Sequence, residues 1–243
     1  MNTRIKKSLK SLLIFFHLDL TKNLKYDRLT KKILKKVLTN ESNCIDIGCH
    51  EGEILEIICK HSPGGSHVAL EPIPFLYDKL VEKFDNRNVE FLPYALSNTE
   101  KNTTFNVVKN ALGYSGLKQR SYQVKKPEIE IIEVKVKMLD TILNGKTRID
   151  LIKLDVEGAE FNVLKGAEST LKKFKPIVIF EFGLGASEFY NVSPVELYNF
   201  LSEEIGLSLF TLNAFIKSRP ALTLQNFENH YKLNDEYYFI ASP

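Results

Sequence analysis

The chain has only three cysteines, Cys44, Cys49 and Cys59, all crowded around one segment of its 243 residues. Their number is odd and their spacing suits no metal, so the expectation is reduced, core-packed thiols of an intracellular protein rather than disulfides or a zinc site. Long apolar runs are missing too. Leu12 to Phe16 is far short of the ~20 residues that cross a bilayer, and no small-residue cleavage site follows it. There is no low-complexity tract and no internal repeat, which argues against disordered and solenoid architectures. A strong charge of one sign is also lacking: the formal net charge is +3, with much of the excess in the first forty residues. That is too weak and too local for a nucleic-acid surface, so no nucleic-acid partner is expected.

What is present is a large apolar fraction, 44%, enough for a real core. Leu9, Leu12, Leu13, Phe16 and Leu20 recur at helical spacing and predict an amphipathic helix. It would dock on the protein's own core or on a twin subunit, with peripheral membrane contact as the alternative. A second amphipathic helix is expected over Tyr26 to Leu38, with Leu29, Ile33, Leu34, Val37 and Leu38 inward and Lys31, Lys32, Lys35 and Lys36 outward. Residues 1–40 therefore read as a helical N-terminal extension, and residues 41–243 as one α/β domain.

From Cys44 the pattern alternates between strands and helices. Strands are expected at Cys44 to Gly48, His67 to Glu71 and Val89 to Leu92, with helices at Glu53 to Lys60 and from Pro74 to about Phe84. That is the first half of a doubly wound sheet. Thr103 to Val108 and Ile129 to Val136 are extended, being dense in β-branched residues. The long polar loop between them, NALGYSGLKQRSYQVKKP, is a candidate lid. Further strands are expected at Ile149 to Leu154, Pro176 to Phe182, Leu207 to Leu212 and Tyr237 to Ala241. Helices are expected at Ala159 to Phe174 and, capped by Ser193, at Pro194 to Glu204. The main sheet then has seven strands.

The chemistry is expected at the carboxyl ends of those strands. Asp46 to Gly52 reads DIGCHEG, a glycine turn opening onto a helix, in which Gly48 allows a tight turn and Gly52 lets the helix start pack closely. Strand two ends in Glu71, 23 positions after Gly48, where an acid can accept hydrogen bonds from a ribose diol. A dinucleotide fingerprint would carry glycine where His50 stands, so an adenosyl ligand without pyrophosphate fits better than NAD. S-adenosylmethionine is such a ligand. It carries a ribose for Glu71 and cationic groups that prefer the carboxylates of Asp46 and Asp155.

DIGCHEG, ALEPIP, YALS, MLDTIL, IDLIKLDVEGAEFNVLKGAE and PIVIFEF, in that order from Cys44 to Phe182, resemble the FkbM-type family of S-adenosylmethionine-dependent methyltransferases. The resemblance implies the class I methyltransferase fold, a Rossmann-like, seven-stranded, mostly parallel sheet whose last strand is antiparallel. It implies O-methylation, often of sugar hydroxyls in glycans or natural products. It carries cofactor binding onto Asp46, Gly48, Glu71 and the segment Ala95, Leu96 and Ser97, and His50, Gly52 and Pro72 join them as their neighbours in the same motifs. Cys49 and His50 depart from the family, which more often has Ala and Asn there.

Methyl transfer to oxygen needs the acceptor held close to the methyl group and help in removing its proton. Candidates for that help are Asp155, Glu157 and Glu181, at the ends of strands four and five. Neighbouring strand ends lie ~5 Å apart, near enough to share a proton or hold a divalent cation. No metal is predicted, and the cation is kept as an alternative. Glu157 is assigned to turn amides or the acceptor, and Glu160 to the first turn of the following helix. In the lid, Ser115, Lys118 and Arg120 could orient a polyhydroxylated or anionic acceptor. The reading is a cytoplasmic O-methyltransferase acting on a small-molecule or glycan acceptor. Its rivals are a non-catalytic adenosyl-binding module and an NAD-dependent oxidoreductase.

Overall fold

A computed structural model describes residues 22–243 apart from 123, 144 and 146. The amphipathic helix expected over Leu9 to Leu20 lies outside the described residues. Helix α1 (Lys22–Val37) is longer by one turn than its pattern predicted. Its inward face buries Tyr26, Leu29, Ile33 and Leu34 against Cys44, Leu151, Ile179 and Ile240 of the main sheet. The three aliphatic side chains of that face contribute roughly 4 to 9 kcal/mol, as an upper figure, by leaving water. The second half of the extension is thus part of the core.

Seven strands make the main sheet: β1 (Cys44–Ile47), β2 (His67–Leu70), β3 (Val89–Leu92), β7 (Leu151–Leu154), β8 (Ile177–Glu181), β9 (Ser208–Thr211) and β10 (Tyr238–Ser242), in the order β3-β2-β1-β7-β8-β10-β9. All neighbours pair in parallel except β10, which is antiparallel to both β8 and β9. This is the expected class I arrangement. β1, β2, β7 and most of β8 are buried on both faces, which explains their near-continuous apolar sequences.

A second sheet was not foreseen. The extended segments became β5 (Lys101–Val108) and β6 (Ile129–Lys137), which pair antiparallel across the long loop. A short strand β4 (Tyr94–Leu96) adds to β6 in parallel. YAL is too short to show a period, so only pairing reveals it as a strand.

The helices flanking the main sheet are α2 (Glu53–His61), α3 (Pro74–Lys83), α4 (Leu139–Ile142), α5 (Glu160–Lys165), α6 (Glu168–Phe174), α7 (Pro194–Asn199), α8 (Leu212–Ile216) and α9 (Leu224–Leu233). The single helix predicted over Ala159 to Phe174 is in fact α5 and α6. Asp140 causes the break: its amide donates to the Gly166 carbonyl, and its carboxylate accepts from the amides of Ser169 and Thr170. A remote cap of this kind leaves no local signal. The Ser193 cap is a full capping box with Glu196, as its sequence suggested. Beyond α7 the turn runs on as a π-helix, Phe200–Glu204. α8 and α9 were not anticipated. No described helix is long and apolar enough to cross a membrane.

Candidate active site

The carboxyl ends of β1, β2, β7 and β8 meet the amino end of the reversed strand β10 at one edge of the sheet. Gly48 sits at φ +73, and a Cβ there would lie 1.9 Å from the Asp155 carbonyl oxygen. The turn after β1 is therefore pressed against the end of β7, an approach only glycine allows. Register puts Asp46 beside Lys153, and pairs Glu181 with Tyr238. Period-two alternation then brings Asp155 to the same face as Lys153.

Two cavities open here. The smaller, of about 250 Å³, is mostly apolar and is lined by Gly48, His50, Glu71, Pro72, Ala95, Leu96 and Asp155, together with Ile73, Phe105 and Leu117. The larger, of about 680 Å³, is polar and includes Asp46, Arg120, Asp155, Glu157, Glu181 and Tyr238. Gly48, His50, Gly113, Asp155 and Glu157 line both, so the cavities adjoin at that point.

Most residues expected around a cofactor converge on these walls. Glu71 is buried, and its two carboxylate oxygens accept the amides of His50 and Ile73. Burial pushes its pKa up to about 7 against those two hydrogen bonds. Asp46 is 2% exposed, its pKa is likewise pushed to about 7 by burial, and its Oδ2 atom has no partner. Two expected residues lie elsewhere. Gly52 faces Leu80 and Phe84, so its role is helix packing. Ser97 is buried with its hydroxyl donating to Asn98, and it lines neither cavity.

The carboxylates behind β7 have different fates. Asp155 accepts from Lys153 Nζ at 3.1 Å and from the Tyr238 hydroxyl. Burial alone would raise its pKa, but Lys153 and these hydrogen bonds, with one from Glu181, hold it below the ordinary value. Glu181 is driven well above its ordinary value by burial and by the charges of Asp155 and Glu160, so of this pair Glu181 keeps the proton. Glu157 does not serve the turn amides; at φ +60 it turns its carboxylate to an ion pair with Arg120. The amides belong to Glu160, which is 1% exposed and accepts from Val156 at 2.9 Å and Gly158 at 3.2 Å. The turn's inner lining thus falls to Glu160, which the sequence assigned only to the first turn of a helix.

The candidate lid is tied down. Asn106 and Gly116 exchange backbone hydrogen bonds, Lys118 Nζ donates to the Phe189 carbonyl and lies over the Tyr190 ring, and Arg120 Nη1 donates to the Gly185 carbonyl. The two cations expected to orient a polyhydroxylated or anionic acceptor thereby hold carbonyls of the protein itself. Ser115, expected on the acceptor side, is buried on the wall of the smaller cavity and accepts the Val108 amide.

Asp155, Glu157 and Glu181 each offer a carboxylate oxygen within 4.8 Å of the others, a spacing that could hold a divalent cation. Sequence reasoning missed Lys153, Tyr238, and the α1 residues Asn23, Tyr26 and Asp27 of the larger cavity. Lys153 did carry a signal, because a lysine inside the apolar strand LIKL must find a partner. For the α1 residues there was none.

The model of the methyltransferase FkbM domain matches residues 46–207, about two thirds of the chain. The chain belongs to the FkbM methyltransferase family. The matched segment includes the whole lining of the smaller cavity, while α1 and the β10 end of the larger one fall outside it. A search of curated proteins found no match. Among solved structures, the methyltransferase FkbM from Methylobacillus flagellatus KT is 15% identical, with a TM-score of 0.46 over 84% of this chain and 44% of that one. This chain therefore spans less than half of that protein's length. A TehB-like SAM-dependent methyltransferase from Corynebacterium glutamicum is 13% identical, with a TM-score of 0.43 over 95% and 97%. The precorrin-6y C5,15-methyltransferase from Geobacter metallireducens GS-15 is 12% identical, with a TM-score of 0.43 over 74% and 72%.

Proposed function

We propose that this FkbM-family methyltransferase uses S-adenosylmethionine to methylate a hydroxyl group of a sugar, glycan or hydroxylated natural product. The observation that carries the reading is the junction of the two cavities at Gly48, Asp155 and Glu157. The smaller cavity suits an adenosine: its walls are apolar, and Glu71 stands on them with lone pairs left for a ribose diol. The unpartnered Asp46 Oδ2 suits the ammonium of the cofactor's amino-acid part. When bound, that cofactor supplies an electrophilic methyl group on a sulfonium.

The chain's own residues do the rest. Asp155, ionised and fixed by Lys153 and Tyr238, accepts the proton that the acceptor hydroxyl loses. Glu181 keeps its own proton and shares it with Asp155, spreading the charge of the pair. Glu157, held by Arg120 at the mouth, orients the acceptor. Phe105 and Leu117 limit water on the adenosyl side.

The larger cavity also bears on the acceptor. Its walls carry the carboxyl groups of Asp46, Asp155, Glu157 and Glu181 beside two cations, Arg120 and Lys153. A neutral or amino-bearing polyol fits that field better than one carrying phosphate or carboxylate. A cytoplasmic setting accompanies the reading, supported by three buried thiols without a disulfide.

Isothermal titration with S-adenosylhomocysteine tests the cofactor, with saturable binding by the native protein and clear weakening in Glu71→Ala expected. A folded sample that does not bind it sinks the proposal. Mass spectrometry of methyl glucoside, glucosaminide and glucuronide incubated with enzyme and cofactor tests the acceptor. Methylation of the first two over the third is expected, and a preference for the glucuronide contradicts it.

A further inference from the structure

Lys153 is the only charged residue in β7, and its side chain is 7% exposed. The ammonium lies 3.1 Å from Asp155 Oδ2 and 5.2 Å from the centre of the Tyr238 ring. Asp46 stands beside it in register on β1. On the other flank of the carboxylate cluster, Arg120, with a side chain 9% exposed, ion-pairs with Glu157 and donates to the Gly185 carbonyl at 3.0 Å. The cluster spaced for a divalent cation is thus already flanked by two cations of the chain itself.

Charge balance decides what this means. Asp155 and Glu157 are each already ion-paired with a fixed cation, Lys153 and Arg120, and Glu181 stands within reach of both carboxylates. A divalent ion would have to displace an ammonium that is mostly out of water, or crowd two further positive charges against it. A lysine in place of the ion leaves Asp155 with the same neutralised charge and a fixed orientation. It also leaves no open coordination position for the acceptor oxygen.

We propose that Lys153, seconded by Arg120, is the built-in counter-cation of the Asp155–Glu157–Glu181 cluster, standing where a metal-assisted transferase would hold Mg²⁺ or Mn²⁺, so that this site excludes divalent metal. Lys153 is then a positioning residue for Asp155, and that part alone rests on the proposed function. The experiment is calorimetric titration of the full chain with MnCl₂, as wild type and as the Lys153→Met, Lys153→Arg and Arg120→Ala variants, each checked for folding by circular dichroism. The wild type and Lys153→Arg are expected to show no saturable binding up to millimolar Mn²⁺. Lys153→Met is expected to acquire a site at least about tenfold tighter that disappears in Lys153→Met/Asp155→Asn. Arg120→Ala supplies a smaller gain should Lys153→Met fail to fold. Micromolar Mn²⁺ binding by the wild type that is lost in Asp155→Asn overturns the proposal, and so do folded variants that bind no better than wild type. S-adenosylhomocysteine titrated into the same samples keeps the two questions apart: its failure to bind counts against the cofactor, whatever the metal titration gives.

Discussion

The smaller cavity draws all its walls from residues 47 to 159, inside the family match, at the ends of β1, β2, β4 and β7 and from the stretch Phe105 to Leu117. The larger adds Asn23, Tyr26, Asp27 and Thr30 of α1 and the segment Asn234 to Tyr238, both outside the match. These two outer pieces also hold each other. Lys25 and Tyr26 bond Glu236, the Tyr237 hydroxyl donates to Asn23, and the Tyr26 and Tyr237 rings meet edge to face at 4.6 Å. On the proposed reading the adenosyl side uses the family-matched part of the fold, and the acceptor side is closed by the chain's two flanking segments. Selectivity can change there without touching the adenosyl side.

If that division is right, substitutions should separate by cavity. The largest effect is expected at the junction, where Asp155→Asn should lower kcat by about 10³-fold, within the range for a lost general base, with S-adenosylhomocysteine affinity changed far less. A variant that keeps wild-type kcat removes Asp155 from proton transfer. On the adenosyl side, Glu71→Ala should weaken S-adenosylhomocysteine binding by roughly 10- to 100-fold, since it removes an acceptor and leaves the amides of His50 and Ile73 unsatisfied. Calorimetry reads this directly, and unchanged affinity would move the ribose elsewhere. On the outer side, Asp27→Lys should raise the acceptor KM by about tenfold and shift preference toward acidic acceptors, with cofactor affinity intact. Loss of cofactor binding in that variant would break the comparison between the cavities.

The smallest effect is on stability. Asp46, Glu71 and Glu160 all have pKa values pushed up to about 7 in the fold. Between the ordinary carboxylate pKa, ~4.3, and about 7 the unfolded chain gives up protons that the folded chain retains. Stability is therefore full below that window and is lost as pH rises through about 7. Thermal melts of the ligand-free protein should give a higher Tm at pH 5 than at pH 8. Glu160→Gln, which still offers an acceptor to the amides of Val156 and Gly158, should reduce that difference by on the order of a few degrees. An unaltered pH profile in this variant would mean that Glu160 is ionised in the native state.

The contrast between the cavities also explains what could be read from the sequence. All seven strands of the main sheet were visible as short apolar segments, the first five of them alternating with helices, while the reversal of the last was expected only from the family resemblance. Glu71 was readable because its place, a strand end after a glycine turn, is set by local order. Lys153 and Tyr238 form one network only because β7 and β10 flank β8, although 85 positions separate them. Asn23 and Asp27 look like any polar residues of a surface helix until the core face of α1 has been docked. Glu160 keeps its expected place in the first turn of α5 but also takes the turn amides expected of Glu157, whose positive φ accompanies an ion pair with Arg120 instead; nothing in DVEGAE gives that angle for a non-glycine residue.

The reversal of β10 also matters for handling the protein. Tyr238 begins that strand at the site, opposite Glu181, and Ser242 ends it opposite Ser208, at the far edge of the sheet. The backbone therefore leaves β10 on the side of the sheet away from both cavities, so an affinity handle, a dye or a surface tether placed beside Ser242 leaves the mouth of the site open to solution.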